Sequence, residues 1–520
     1  MSSLKSTSDG TLKQQLPWNL AGNILYFMVN LVIGLLIVPF FVSTLGVAVY
    51  GLIVLATSLN GYVGLLTQSL NTAISRYLTV DLRREDYVTA NKTFNTAFFG
   101  ISGIILLMSP VTLLISIFAP AIFNVPSGQE TGVIFLFLGV IGAFLIRSWS
   151  GNFTVSLFAY NRLDLLNLVN IVNIVVQVLL IVTFFSLKGP SLALVGLAYL
   201  IGGVTASILA IHLSRRVNPH LRINIRDFDR SRLRDLTGMG WWVIVNQVGA
   251  TLIIPTYPIV VNIFFGATSA GEFSIALQWV ILLYAIAGVL SGVFTPIVFT
   301  YYARKLRDGL VQITKSAVKF MGLAMALPIG LICGFGSELL TIWVGEEYSS
   351  LALLMVALTI PLTYNLAVIP FFSINIAYNQ VKLPGVATFF AGVGNILLSV
   401  AFALYTDLGY YGVAIASVVV LFFKNGIFIP WYTTHLLGVP ARTFNYSIIA
   451  GVLSTIIIAT FAYILSQFVE ISGILPIAIA SSLIAVGYLG AIWSIGLNRY
   501  ERDFVLSYLP KRFSNILKFN

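Results

Sequence analysis

The chain is predicted to be an all-α polytopic membrane protein, with about fourteen transmembrane helices in two parallel six-helix lobes and a C-terminal helix pair. Three observations lead there. Of its 520 residues, 58% are hydrophobic and 9% charged, whereas soluble domains carry about a quarter charged residues. Uncharged apolar runs of about 20 residues, enough to cross a hydrocarbon core of roughly 30 Å as helix, recur from end to end. Short matches also recur at nearly one spacing. Ala159-Tyr160-Asn161 returns 218 residues later as Ala377-Tyr378-Asn379, Gly46, Gly51 and Ala56 return 220 later as Gly266, Gly271 and Ala276, and Gly196-Leu197-Ala198 returns 216 later as Gly412-Val413-Ala414. Each match is weak alone, but the three keep one order and one offset, which is the mark of an internal duplication.

The first sixteen residues are polar and carry Lys5 and Lys13, so the first apolar run is expected to remain as an anchor rather than be cleaved as a secretion signal. Six runs follow at 18–44, 49–72, 93–118, 132–157, 165–187 and 191–213, and six more at 237–265, 273–300, 316–335, 350–373, 385–405 and 411–433. Two further runs, 447–469 and 473–496, lie beyond the duplication. Run length argues for helices, because a barrel strand needs only about 10 alternating residues. The domain reading is a tail over 1–17, an N-lobe over 18–213, a basic linker over 214–236, a C-lobe over 237–434, a helix pair over 435–496 and an interfacial tail over 497–520. The linker is expected to form a solvated, headgroup-bound helix. Six spans per repeat return the chain to its starting side, so the copies share one orientation, as in transporters whose lobes rock about a central cavity.

The formal charge of +11 follows topology. Arg76, Arg83, Arg84 and Lys92 follow span two, a run of arginines from Arg215 to Arg234 follows span six, and Arg304, Lys305, Arg307 and Lys315 follow span eight, while the opposite loops offer only Lys188. By the positive-inside rule both termini and every even-numbered loop are cytoplasmic. The basic charge is therefore an attraction to membrane lipid headgroups, and no soluble domain exists that would read nucleic acid.

The run Pro39-Phe40-Phe41-Val42-Ser43-Thr44-Leu45-Gly46-Val47-Ala48-Val49-Tyr50-Gly51-Leu52 places a proline in span one, then Leu-Gly, then a Tyr-Gly that opens span two. Asn71-Thr72-Ala73-Ile74-Ser75-Arg76-Tyr77 forms the exit from span two. In these runs and in its two lobes plus terminal pair, the chain resembles the multidrug, oligosaccharidyl-lipid and polysaccharide flippase superfamily, specifically the polysaccharide-biosynthesis branch of O-antigen type flippases. The resemblance covers nearly the whole chain. It implies a flippase that moves a polyprenyl-pyrophosphate-linked oligosaccharide from the cytoplasmic to the outer leaflet of the bacterial inner membrane, by alternating access and without a cofactor. Glycosyltransferases and a polymerase of a surface-polysaccharide pathway are the implied partners. It also implies that spans one, two, seven and eight line much of the central cavity.

Charge placement bears on the cargo. No carboxylate lies near the middle of any predicted span, whereas an exporter of cations, or one driven by an intramembrane proton, usually carries a buried acid. The charges that do interrupt spans are cationic: Arg147 in span four and Lys424 in span twelve. Each costs about 2.5–3.5 kcal/mol at a helix centre on insertion scales, so each faces a wet cavity or snorkels to the headgroups. Facing a vestibule, the pair would attract a pyrophosphate, Arg as a planar fork and Lys as a point charge. Arg147 aligns with Asn365 by the repeat offset, so that charge belongs to one copy only. Asn19, Asn23, Asn30, Asn60, Gln68, Asn246, Gln247, Asn262 and Gln278 supply neutral amides on the repeat-equivalent span pairs one, two, seven and eight. Such amides hydrogen-bond sugar hydroxyls, or simply join helices at about 1 kcal/mol or less. Candidate substrate contacts are Arg147, Lys424, Arg76, Asn23, Asn60, Gln68, Asn246, Gln247 and Gln278.

Enzymatic readings find little to use. His212, His220 and His435 fall at cytoplasmic ends without metal-ligand spacing, and the lone Cys333 excludes an intrachain disulfide or a thiolate cluster. Gly238-Met239-Gly240 lacks the third glycine of a dinucleotide loop, and there is no P-loop lysine motif. A cation-coupled multidrug exporter of the same superfamily, a membrane glycan polymerase or acyltransferase, and a peptidoglycan-precursor flippase are the alternatives. The last would be expected to carry arginines in span one, and none lies between Trp18 and Leu45.

Overall fold

The computed structural model describes residues 5–233, 241–469 and 473–508. Thirteen helical stretches among them are long and apolar enough to cross a membrane. One of these, 244–303, is interrupted at Gly266, whose φ of 89° and ψ of 175° are not helical. Gly46, its repeat counterpart, has φ 82° and ψ 159° where it separates the first two helices. Both glycines sit where a side chain would be strained. With that stretch counted as two crossings, the described residues hold fourteen, the number of apolar runs in the sequence. No strand occurs among the described residues.

The first repeat comprises α1 (Lys5–Leu45), α2 (Val47–Arg83), α3 (Tyr87–Ile122), α4 (Glu130–Trp149), α5 (Gly151–Ala159), α6 (Leu163–Lys188) and α7 (Leu192–Val217). Span four is thus two helices that meet at Ser150. Its Oγ donates to Arg147 O at 3.0 Å and to Ser207 Oγ at 2.9 Å. The second repeat comprises α8 (Trp241–Thr251), α9 (Thr256–Ala303), α10 (Arg307–Gly334), α11 (Gly336–Trp343), α12 (Ala352–Thr359), α13 (Leu362–Ala367), α14 (Ile369–Ala377), α15 (Lys382–Tyr405) and α16 (Tyr411–Leu421). A π-helical turn, Phe422–Phe428, then leads into α17 (Ile429–Leu437). Span ten is cut into α12, α13 and α14, with Pro361 and Pro370 at the starts of the later two pieces, the positions a helix tolerates for a residue without an N–H. The terminal pair is α18 (Asn445–Phe468) and α19 (Ile474–Ala491), followed by α20 (Arg499–Tyr508).

The duplication is written into the backbone as well as the sequence. Among the described residues, the non-glycine residues with positive φ are Glu85 (60°), Asn161 (57°), Lys305 (56°) and Asn379 (55°). They form two repeat pairs. Each ends a helix with the same closing bond, five residues back: Asp86 N to Asp81 O and Leu306 N to Tyr301 O at 3.1 Å, Arg162 N to Leu157 O at 2.9 Å and Gln380 N to Asn375 O at 2.8 Å.

By contacts the chain divides into two compact units, residues 1–275 with 381–413, and residues 276–380 with 414–520. In a membrane, helix association relies on close packing of small residues more than on the hydrophobic effect. In the first unit a Cβ on Gly139 would run into the backbone of Gly196, and one on Gly196 into the backbone of Phe135 and Leu136. A Cβ on Gly51 would meet the backbone of its repeat counterpart Gly271, and one on Gly271 the carbonyl of Val47. Phe94, Phe98 and Phe153 fill the space around Ile74 and Leu78. In the second unit Gly322 packs on Gly451, and Phe371 meets Phe444 edge-on at 4.9 Å.

The linker departs from expectation. After α7 ends at Val217 the chain runs extended, with one turn of 3-10 helix at Ile225–Asp227, and not as a continuous helix. The reason lies on α3. Asn91 and Asn95, one helical turn apart, read the strap's backbone: Asn91 Oδ1 accepts from Arg222 N at 2.9 Å, Asn95 Oδ1 from Asn224 N at 2.8 Å, and the Asn95 amide donates to Arg222 O at 2.8 Å. Those bonds satisfy the backbone groups that a helix would have satisfied internally. Residues 234–236 of the linker and 509–520 of the tail lie outside the described residues.

A candidate substrate site around Arg147

The break at Ser150 places Arg147 in the last turn of α4, where the carbonyl ends of a helix favour a cation. From there the guanidinium faces a cavity of about 260 Å³ in the first unit. Thr67 and Asn71 of α2, Ser148 of α4, Thr154 of α5 and Asn170 of α6 join Arg147 in lining it, and none of the lining residues is an aspartate or glutamate. Arg147 Nη2 donates to Asn170 Oδ1 at 2.8 Å. In the amide orientation that satisfies both its polar atoms, Asn173 accepts from Arg147 Nη1 at 3.2 Å. The charge is therefore held by neutral dipoles, exposed to the cavity and unneutralised by an acid within it. Such a cation can take a second, anionic partner.

The other sequence-predicted residues are distributed more widely. Asn23 is exposed on α1 and accepts a hydrogen bond from Asn167 Nδ2 of α6. Asn60 is half-buried on α2, its enclosed Oδ1 accepting no hydrogen bond. Arg76 is exposed further along the same helix. Asn246 and Gln247 are half-buried on α8. The backbone of Gln68 is helical, and its side chain lies outside the described residues. Gln278 and Lys424 belong to the second unit and are half-buried there. Lys424 sits in the π-helical turn with its ammonium 5.6 Å from the centroid of the Phe372 ring, a cation–π contact.

Two amides of the same set have structural roles. Asn19 donates to Asn161 O at 2.7 Å and accepts from Asp164 N at 3.0 Å, tying α1 to the left-handed turn before α6. That turn is further pinned by Arg162, whose Nε and Nη2 meet the Asp164 carboxylate at 2.9 Å each, and this pairing raises the Arg162 guanidinium pKa further. Asn262 and Asn124 clasp reciprocally: Asn262 Oδ1 accepts from Asn124 N at 2.9 Å, Asn124 Nδ2 donates to Asn262 O at 2.6 Å, and Asn262 Nδ2 donates to Asn124 O at 3.1 Å.

Sequence reasoning missed the residues that hold Arg147. Asn167, Asn170, Asn173 and Gln177 recur at helical spacing along α6, a polar stripe on an apolar span that periodicity alone could have flagged. Asn71 was read only as part of a motif. Lys319 is a further charge within a predicted span, the ninth. It is buried and pairs with Glu501 at 2.7 Å.

Repeated bundles of membrane-spanning helices, spans four, seven and ten among them broken, with a polar cavity against the break in span four, define a polytopic membrane protein of the transporter type. The family model described as polysaccharide biosynthesis protein matches residues 19–302, and the chain belongs to that family. It is 28% identical over 501 residues to the uncharacterized membrane protein EpsK of Bacillus subtilis (strain 168), covering 95% of this chain and 98% of that one. Among solved structures it is similar to the lipid II flippase MurJ in an inward closed conformation, with a TM-score of 0.56 and 15% identity over 86% of this chain and 98% of that one. It is similar also to the outward-facing conformation of a multidrug resistance MATE family transporter of the MOP superfamily, with a TM-score of 0.53 and 16% identity over 82% and 94% of the two chains. The fold is therefore that of the multidrug, oligosaccharidyl-lipid and polysaccharide flippase superfamily.

Proposed function

We propose that this chain is a flippase that carries a polyprenyl-pyrophosphate-linked oligosaccharide from the cytoplasmic to the outer leaflet of a bacterial inner membrane by alternating access. The single observation behind the cargo is the setting of Arg147. A cation among amides and hydroxyls, with no acid in the cavity lining, suits a phosphate and sugar hydroxyls together. Membership of a polysaccharide biosynthesis family supports the glycan, and likeness to a lipid II flippase supports a lipid-linked one. Asn23, Asn60, Gln68, Asn246, Gln247, Gln278, Arg76 and Lys424 are the further contacts we assign to the cargo's path. Both termini and the even-numbered loops lie in the cytoplasm, the 18–213 and 237–434 segments act as the two lobes, and the chain performs no covalent chemistry.

Moving each negative charge outward across an inside-negative membrane gains about 2.3 kcal/mol per 100 mV. A pyrophosphate diester can then be driven by the potential without an intramembrane carboxylate. The test is translocation of a labelled lipid-linked oligosaccharide in proteoliposomes bearing an imposed potential. Collapsing the potential is expected to slow it, and an unchanged rate removes the proposed drive. Export of organic cations with no movement of the glycolipid would replace the reading with that of a drug exporter.

A further inference from the structure

A second cavity, of about 330 Å³, lies in the second unit at the junction of α9 and α10. Tyr301, Tyr302 and Tyr378 line it together with Lys305, Arg307 and the apolar Leu306 and Leu310, and no acid is among the lining residues. Its parts are held in place. Lys305 occupies the left-handed turn at φ 56°. Arg307 donates from Nε and Nη2 to Leu437 O at 3.1 and 2.7 Å, and from Nη2 to Gly438 O at 3.0 Å. The Tyr302 and Tyr378 rings meet at 4.8 Å. Tyr302 and Leu306 are nonetheless 40% and 50% exposed, so the mouth of the cavity is aromatic and apolar.

The other repeat shows what the backbone requires of this turn. Its counterpart, Glu85-Asp86-Tyr87, has the same left-handed residue (φ 60°) and the same bond from five residues back, at 3.1 Å in both turns. There the turn carries two acids, and here the aligned Lys305-Leu306-Arg307 carries two cations. Arg307 has a structural task at the end of α17, but the left-handed frame accepts either sign at the position of Lys305, so the turn does not explain that cation beside an aromatic cavity. A ligand does. Two cations and three phenols offer charge-assisted donors to the oxygens of a phosphate. Exposed leucine and tyrosine beside them offer an apolar surface to a chain attached to that phosphate.

We propose that this cavity binds the phosphate headgroup of an anionic membrane lipid. Its occupant is independent of the cargo assigned to the Arg147 cavity. The experiment titrates the full chain, in neutral detergent, with short-chain phosphatidylglycerol by calorimetry. Lys305→Asn removes the charge with the side chain that best tolerates a left-handed φ, and is expected to weaken binding about ten-fold. Lys305→Arg and Lys315→Gln, the latter outside the cavity, are expected to stay within about two-fold of the parent. Tyr378→Phe, which leaves the backbone untouched, is expected to weaken binding several-fold. Phosphatidylcholine is expected to give no saturable heat. Unchanged binding in Lys305→Asn and Tyr378→Phe, or an equal loss in Lys315→Gln, would overturn the site. Displacement of phosphatidylglycerol by an equal concentration of inorganic phosphate would assign the cavity to a soluble anion and overturn the lipid.

Discussion

Replacing Arg147 tests the proposed function directly, because an anionic cargo needs that cation. The structure fixes what each replacement removes. Arg147→Ala deletes the charge from the cavity and releases Asn170, now 2.8 Å from Nη2. Two unit charges about 4 Å apart attract by roughly 4 kcal/mol at an effective dielectric of 20. Since each 1.4 kcal/mol or so is a factor of ten, Arg147→Ala is expected to cut translocation by up to about a thousand-fold. Arg147→Lys keeps the charge and gives up the planar fork. It loses about one charge-assisted hydrogen bond, roughly 1.5–3 kcal/mol, and is expected to fall by about ten-fold to a hundred-fold. The assay follows a fluorescent lipid-linked oligosaccharide crossing the bilayer of proteoliposomes, with the exposed Arg442→Gln as a comparison outside the cargo's path. Full activity in both Arg147 variants would refute the reasoning and leave the residue as a headgroup anchor. Equal loss in the Ala and Lys variants would mean that shape, and not charge, is being read.

Two further perturbations address the scaffold. Lys319 and Glu501 form a buried pair at 2.7 Å, and Glu501 also accepts from Asn498 N at 2.9 Å to cap α20, so Glu501→Ala strands a buried ammonium and is expected to destabilise the protein by about 3–5 kcal/mol. Thermal unfolding in detergent measures this, and Lys319→Met combined with Glu501→Leu is expected to regain most of the loss; a single variant as stable as the parent would deny the pair its role. Gly271→Val drives a side chain into the Val47 carbonyl. Overpacking of this kind costs about 1–3 kcal/mol, and an unchanged melting temperature would mean that α2 and α9 are not held at this contact.

How much was legible in the sequence depended on whether a signal was local. Crossings were, because fourteen apolar runs need no knowledge of their neighbours, and the paired glycines at 46 and 266 were, because a residue without a side chain marks a backbone need directly. The left-handed turns were half legible: Asn161 and Asn379 stood out in a repeated triplet, whereas Glu85 and Lys305 share a φ but no side chain and so gave no match. The linker's conformation was not legible, because it is decided by Asn91 and Asn95, more than a hundred residues earlier. Arg147 was visible as a charge in an apolar run, but its surroundings come from α2, α5 and α6, and only the fold brings Asn71, Thr154 and Asn170 to it. The amides of spans one and seven illustrate the converse. Asn19 and Asn262 carried the same sequence signal as Asn23, yet both spend their hydrogen bonds on backbone groups of other segments. A polar residue in a membrane span is thus a question put by the sequence, and it is answered by whether its donors and acceptors are already taken. At Arg147 they are only partly taken, by neutral groups, which is why the function is argued from that residue and not from the longer series of amides.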